Sequence, residues 1–252
     1  MGFFRRLFGE RTLNIRTEVT VDHERCEVPR RPIAKEIYVK TCPEMHVYKI
    51  RGRSPETKRL RTVRRVHLSS SSREEVIASC GLYDVQEIEI LEQEPPTESQ
   101  IRYAVSLGIA LSDEYSKEDL SCLITRVINE EDRDDTTPVD YNLAKLAADH
   151  NIYLSAYSGE KRALDSLWLQ FAEDERLLFF IFCTHQKYLK KRDYDLYHSP
   201  YISVYKKFVE DYRSDEQFQR SLSRYIGSDL SVYKAPNMRR NACKIATEYL
   251  LK

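Results

Sequence analysis

A chain of 252 residues with 41% hydrophobic and 11% aromatic content can build a sizeable core, which excludes global disorder. Only seven glycines and a charged fraction of 32% favour helix. Forty Lys/Arg balance forty Asp/Glu, so net charge by itself selects no partner.

The charge is unevenly placed. Residues 1–73 hold 18 Lys/Arg against 8 Asp/Glu, and residues 74–252 hold 22 against 32. A basic front part is expected either to face a polyanion or to attract the acidic remainder of the chain. The six cysteines are scattered without a C-x-x-C pair, and no secretory signal precedes them. Reduced thiols and a cytoplasmic location are therefore expected. The apolar run at 177–183 is seven residues long, against the ~20 that a membrane-spanning helix needs.

In chain order, residues 1–34 read as an N-terminal extension. Phe3, Phe4, Leu7 and Phe8 would share one helical face, but the segment ends at Gly9, and a loose terminus is expected. Leu13, Ile15, Val19 and Val21 suggest a short strand or two.

Residues 35–94 read as a small α+β module. Ile37-Tyr38-Val39 and His46-Val47-Tyr48-Lys49-Ile50 are rich in β-formers, and Ser54-Pro55-Glu56-Thr57 is a turn. A returning strand spans 62–68. Val63, Val66 and Leu68 break its alternation once, which suggests a bulge near Arg64 and Arg65. Ser72-Arg73-Glu74-Glu75 is a capping box opening a helix that turns Val76, Ile77 and Cys80 inward and stops at Gly81. Val85, Ile88 and Ile90 mark a closing strand, giving a β-β-α-β order.

Residues 95–129 form a helix–extended–helix unit, with capping boxes at Thr97–Gln100 and Ser116–Asp119. Residues 130–138 are an acidic linker and the expected domain boundary. Residues 139–252 read as all-helical, with helices near 140–150, 160–173, 174–192, 200–213, 215–226 and 236–250. Pro200 and Pro236 suit first helical turns, and Ser214-Asp215-Glu216-Gln217 is a further capping box. Trp168, Phe171, Leu178, Phe179, Phe182, Tyr205, Phe208, Phe218, Leu222 and Leu250 are the expected core. The fold class is thus α+β: a β-β-α-β module with an appended helical pair, then an all-α domain.

The densest functional signal is Lys49-Ile50-Arg51-Gly52-Arg53-Ser54-Pro55-Glu56-Thr57-Lys58-Arg59-Leu60-Arg61-Thr62-Val63-Arg64-Arg65, with eight cations in seventeen residues. A hairpin here would present Arg51, Arg53, Lys58, Arg59, Arg61, Arg64 and Arg65 to a phosphate backbone. The alternative is a solvated edge hairpin, its charges blunting aggregation. No Gly-rich phosphate loop or catalytic motif stands out, and neither an enzyme nor a cofactor is expected. His23-x-x-Cys26 and Cys42-x-x-x-His46 have finger-like numbers in the wrong order, so no metal is expected. Ser158 with Lys161 reads as a helix N-cap rather than a nucleophile pair. Of the nine tyrosines from Tyr188 to Tyr249, the first lie among Lys187, Lys190, Lys191 and Arg192 and could stack bases, but a protein-contact use is favoured.

Arg51-Gly52-Arg53-Ser54-Pro55-Glu56-Thr57-Lys58-Arg59, followed by a strand and a helix opening Ser-x-x-Glu, resembles the arm-type DNA-binding domain at the front of phage-type tyrosine integrases. The resemblance covers about residues 49–81 and implies DNA contact through a sheet. No recombinase catalytic context follows it. Residues 96–128, with Thr97-Glu98-Ser99-Gln100 and Ser116-Lys117-Glu118-Asp119, resemble SAP-type modules of bacterial and phage DNA-processing proteins. There the only cations are Arg102, Lys117 and Arg126, and the second helix runs into acidic residues. The two resemblances imply a phage or bacterial setting. The function expected is a non-catalytic, nucleic-acid-associated accessory protein whose helical domain meets a protein partner. A scaffold without nucleic-acid binding is the runner-up, and an enzyme with an unrecognised site comes third.

Overall fold

The computed structural model describes residues 38–129 and 137–251. The expected N-terminal strands, His23, Cys26 and the acidic stretch 130–136 lie outside the described residues. The described residues form one compact unit. The architecture is mixed α+β with a helical C-terminal part, as the patterning indicates. No helix among the described residues is long and apolar enough to cross a membrane.

Strands β1 (Met45–Arg53), β2 (Leu60–Leu68) and β3 (Tyr83–Leu91), with α1 (Arg73–Ser79) before β3, realise the β-β-α-β order. They form one antiparallel sheet in the order β2-β1-β3. The turn residues close the hairpin. The Ser54 amide donates to the Arg59 carbonyl at 2.9 Å, and the Lys58 amide to the Ser54 carbonyl at 2.8 Å. Lys58 is held in the left-handed region, with φ 56°.

The β1–β2 register runs unbroken from Met45↔Leu68 to Arg53↔Leu60, so there is no bulge at Arg64 and Arg65. The broken alternation has another cause: the hairpin is buried on opposite faces at its two ends. Ile50 and Val63 lie under α1 with Val76 and Cys80. Met45, Val66 and Leu68 point the other way, into the main helical core. Side-chain parity therefore switches along β2 without any extra residue. The irregularity sits instead between β1 and β3, where Arg51 pairs with Glu87 but Arg53 pairs with Tyr83. It brings both Val85 and Ile88 onto the α1 side, while Ile90 stays exposed. Gly52 makes room for this bulge: a Cβ there would lie 3.1 Å from the Tyr83 carbonyl.

Helices α2 (Glu98–Ser106) and α3 (Lys117–Ile128) begin at capping boxes on Thr97 and Ser116, and α1 at one on Ser72. Each box satisfies two orphan donors by contacts three residues apart. Ala104, Ile109, Leu120 and Leu123 form the small core of this pair.

The helical part comprises α4 (Tyr141–Asp149), α5 (Glu160–Gln170), α6 (Glu173–Leu189), α7 (Ile202–Tyr212), α8 (Glu216–Leu222), a 3₁₀ turn (Gly227–Leu230) and α9 (Asn241–Leu250). Buried residues surround the middle of α6, which makes it the central helix. Trp168, Phe171, Phe179, Phe182, Tyr205, Phe208, Phe218 and Leu222 are buried as expected, with Leu178 and Leu250 packed at the margin. Three boundaries differ from expectation. Asp215 rather than Ser214 caps α8, accepting from the Phe218 amide. Helix α9 starts at Asn241, well past Pro236. Pro200 lies just ahead of α7, whose N-cap is Tyr201.

Tyr38 and Val39 belong to no strand. The segment after them is a strap: the Thr41 and Cys42 amides donate to the Ala156 carbonyl, and the Val139 amide to the Thr41 carbonyl. The Val66 amide donates to Asn151 Oδ1 at 2.9 Å, pinning β2 to the residues after α4. One hydrophobic core thus holds both the base of the sheet and helices α4–α9.

Candidate nucleic-acid interface

Among the described residues, the distal part of the hairpin is where exposed cations are concentrated. Residues 55–62 are all exposed, because α1 covers only one side of the sheet and the main core only its base. The pairing register assigns the cations to sides. Arg51, Arg53 and Arg64 share the face away from α1; Arg61 and Arg65 point to the α1 side; Lys58 and Arg59 belong to the turn. The seven are therefore not co-facial. Arg51, Arg53, Lys58, Arg59 and Arg61 surround the tip of the hairpin, and Arg64 and Arg65 lie midway along β2.

Two of them serve the fold. Arg65 Nε donates to the carbonyl of Ser79, the last residue of α1, at 3.1 Å, and its Nη1 donates to the Arg64 carbonyl. A guanidinium there satisfies an orphan carbonyl and suits the negative end of the helix dipole. Arg53 Nε meets Asp84 Oδ2 at 3.1 Å, and its Nη1 donates to the Lys58 carbonyl. Both bonds brace the β3 bulge and the hairpin turn. Arg51, Lys58, Arg59, Arg61 and Arg64 are exposed and make no side-chain hydrogen bond or ion pair among the described residues. These five are available to a ligand.

The open face also carries acids, which hairpin composition alone does not reveal. Glu87 pairs with Arg51 in register, and Glu89 with Lys49. Lys49 Nζ lies 2.8 Å from Glu89 Oε2, a hydrogen bond that raises the lysine pKa above its ordinary value. The face is thus polarised, cationic toward β2 and anionic toward β3. The signal was present in Glu87-x-Glu89 on the closing strand, but only the order β2-β1-β3 puts those acids beside the arginines.

The other candidate cations are engaged. Arg102 pairs with Glu98, Lys117 with Glu94, and Arg126 Nη1 donates to the Val39 carbonyl. The α2–α3 unit therefore offers little positive charge to a phosphate. Among the C-terminal tyrosines, Tyr194, Tyr205 and Tyr225 are buried, while Tyr188, Tyr197, Tyr201 and Tyr233 are exposed. Tyr194 donates to Glu160 and accepts from the Val232 amide, a use in the core rather than in stacking.

Ser158 is not the cap of α5; that position is Gly159. Ser158 is buried, its Oγ 3.4 Å from Cys122 Sγ, and its carbonyl accepts from Thr41 Oγ1. Cys42 is buried nearby, and burial, aided by Cys122, pushes its thiol up to about 12. Among the described residues no group of three His, Cys, Asp or Glu could hold a metal ion. Comparison with family models, with curated proteins and with solved structures returns no match to this chain.

Proposed function

We propose that the chain is a non-catalytic, nucleic-acid-associated accessory protein that grips a phosphate backbone with the tip of its β1–β2 hairpin. The observation that carries this reading is the set of five unpartnered cations, Arg51, Lys58, Arg59, Arg61 and Arg64, on one well-braced hairpin. Phosphate contact needs cations on a rigid frame, and each one releases counterions on binding. Their spread around the tip and along β2 suits a groove or a wrapped single strand better than a flat face.

Salt titration tests the proposal. Five neutralised phosphates on duplex DNA give a log–log slope of about −4.5. The variant Arg59→Ala, Arg61→Ala, Arg64→Ala flattens that slope by about 2.7. Absence of binding at low salt, or an unchanged slope in the triple variant, would remove the nucleic-acid reading.

The polarised sheet face favours a second reading, a protein scaffold. The acids of β3 already draw in Lys49 and Arg53. In that case the same arginines meet an acidic protein partner, and the chain shows no affinity for DNA or RNA at any salt concentration.

A further inference from the structure

A second surface of the molecule is richer in acids than in bases: five carboxylates line it, against Lys40 and His46. Four segments that are distant in sequence enclose a cleft of about 420 Å³: the strap before β1, the end of β3, the extended linker 109–115 and residues 153–157. That volume suits a small ligand or one long side chain.

Tyr115, Tyr153 and Tyr157 provide aromatic surface in the cleft, with Tyr115 and Tyr157 edge to face at 5.5 Å between ring centres. Its acids divide into two groups. Asp119 is occupied inside the protein, accepting from Ser116 and from Ser155 Oγ, and Glu44 is tied to Lys40 at 3.6 Å. Glu92, Asp113 and Glu114 are exposed and make no side-chain hydrogen bond or ion pair among the described residues. Tyr157 feels part of the same field. Tyr157 is pushed up to about 12, by burial first and then by Tyr115, Asp119 and Glu114.

We propose that this cleft binds an organic cation, a primary ammonium or guanidinium group. Its charge would lie against Glu92, Asp113 and Glu114, and its alkyl stem against the three tyrosines. Aromatic faces attract cations through their quadrupole, and the surrounding carboxylates deepen that attraction. The same field repels a phosphate or carboxylate ligand. Glu92 stands apart from the adjacent Asp113 and Glu114, and among the described residues no group of three such side chains could hold a metal ion, so a diffuse cation fits the cleft better than a metal ion. The site does not depend on the hairpin reading.

The chemistry is shared by free polyamines and by Lys or Arg side chains of a peptide, and calorimetry on the full chain separates them. The probes are spermidine, the blocked peptide acetyl-Gly-Arg-Gly-amide and its citrulline counterpart, which keeps the shape without the charge. Saturable binding of spermidine or of the arginine peptide, with none of the citrulline peptide, is expected, and the tighter of the two names the source. In the variant Glu92→Gln, Asp113→Asn, Glu114→Gln, affinity falls at least about tenfold, while thermal unfolding stays unchanged because all three side chains are exposed. Failure of both cations to saturate at millimolar concentration overturns the proposal. So does equal binding of the citrulline peptide, or full affinity in the triple variant.

Discussion

Trp168 ties α5 to the far end of the helical part. It is 8% exposed, and its Nε1 donates to the Tyr225 carbonyl at 3.0 Å. Trp168→Ala is expected to cost ~3–5 kcal/mol in denaturant unfolding, through the cavity it leaves. Trp168→Phe should cost less, because most of the volume remains and mainly the hydrogen bond is lost. Gly227 is a close-approach site of another kind. A Cβ there would lie 2.1 Å from the Leu164 carbonyl, so the 3₁₀ turn touches α5 backbone to backbone. Gly227→Ala must push the two apart, with an expected cost of at least ~1–3 kcal/mol. Cys42 makes stability depend on pH. Its thiol titrates at its ordinary value of 9.0 when unfolded and at about 12 when folded. Between those values the unfolded chain holds fewer protons. Stability is therefore full below pH 9 and falls as pH rises, by up to ~1.4 kcal/mol per unit from this group. Cys42→Ala should show a shallower alkaline decline in chemical denaturation. An equal decline in both proteins would count against this origin.

At the scale of elements, the hairpin separates cations that serve the fold from cations that are exposed and make no side-chain bond among the described residues. Arg64 and Arg65 are adjacent, but only Arg65 reaches the C-terminal end of α1. Arg65→Ala should lower stability by ~0.5–1.5 kcal/mol. Arg64→Ala should leave unfolding unchanged and cost about one contact of salt slope. A matched pair of melting curves and salt titrations checks both. The reverse pattern would mean that the hairpin is read from the wrong side. The capping boxes at Ser72, Thr97 and Ser116 were legible in the sequence, because both bonds of each box join residues three apart. Val63 and Val66 were misread as a bulge. A strand buried on one face at one end and on the other face at the other end breaks alternation just as an inserted residue does. Only the partner elements, α1 over Ile50 and the helical core over Met45, tell the two apart.

At the scale of the whole molecule, the sheet and the helical part share one hydrophobic core. Cys42, Met45, Val66 and Leu68 join the cluster that holds Leu143, Phe179 and Phe208. Thermal unfolding of the full chain should accordingly show one cooperative transition, with calorimetric and van't Hoff enthalpies in agreement. Separate fragments ending at 134 and starting at 136 should each lose that transition, since the cut would expose the base of the sheet. Two independent transitions in the intact chain would refute the shared core.

By itself the sequence determined the α+β class, the β-β-α-β order, the aromatic helical core and the hairpin that bears the cations. These follow from periodicity, caps and turn residues, which act over a few positions of the chain. Only the tertiary structure decided which arginines are free, that Glu87 and Glu89 lie beside them, that Gly227 touches Leu164, and that four distant segments enclose a cleft. Those outcomes depend on burial of apolar area between elements far apart in sequence, a force that is non-directional and leaves no local pattern to read.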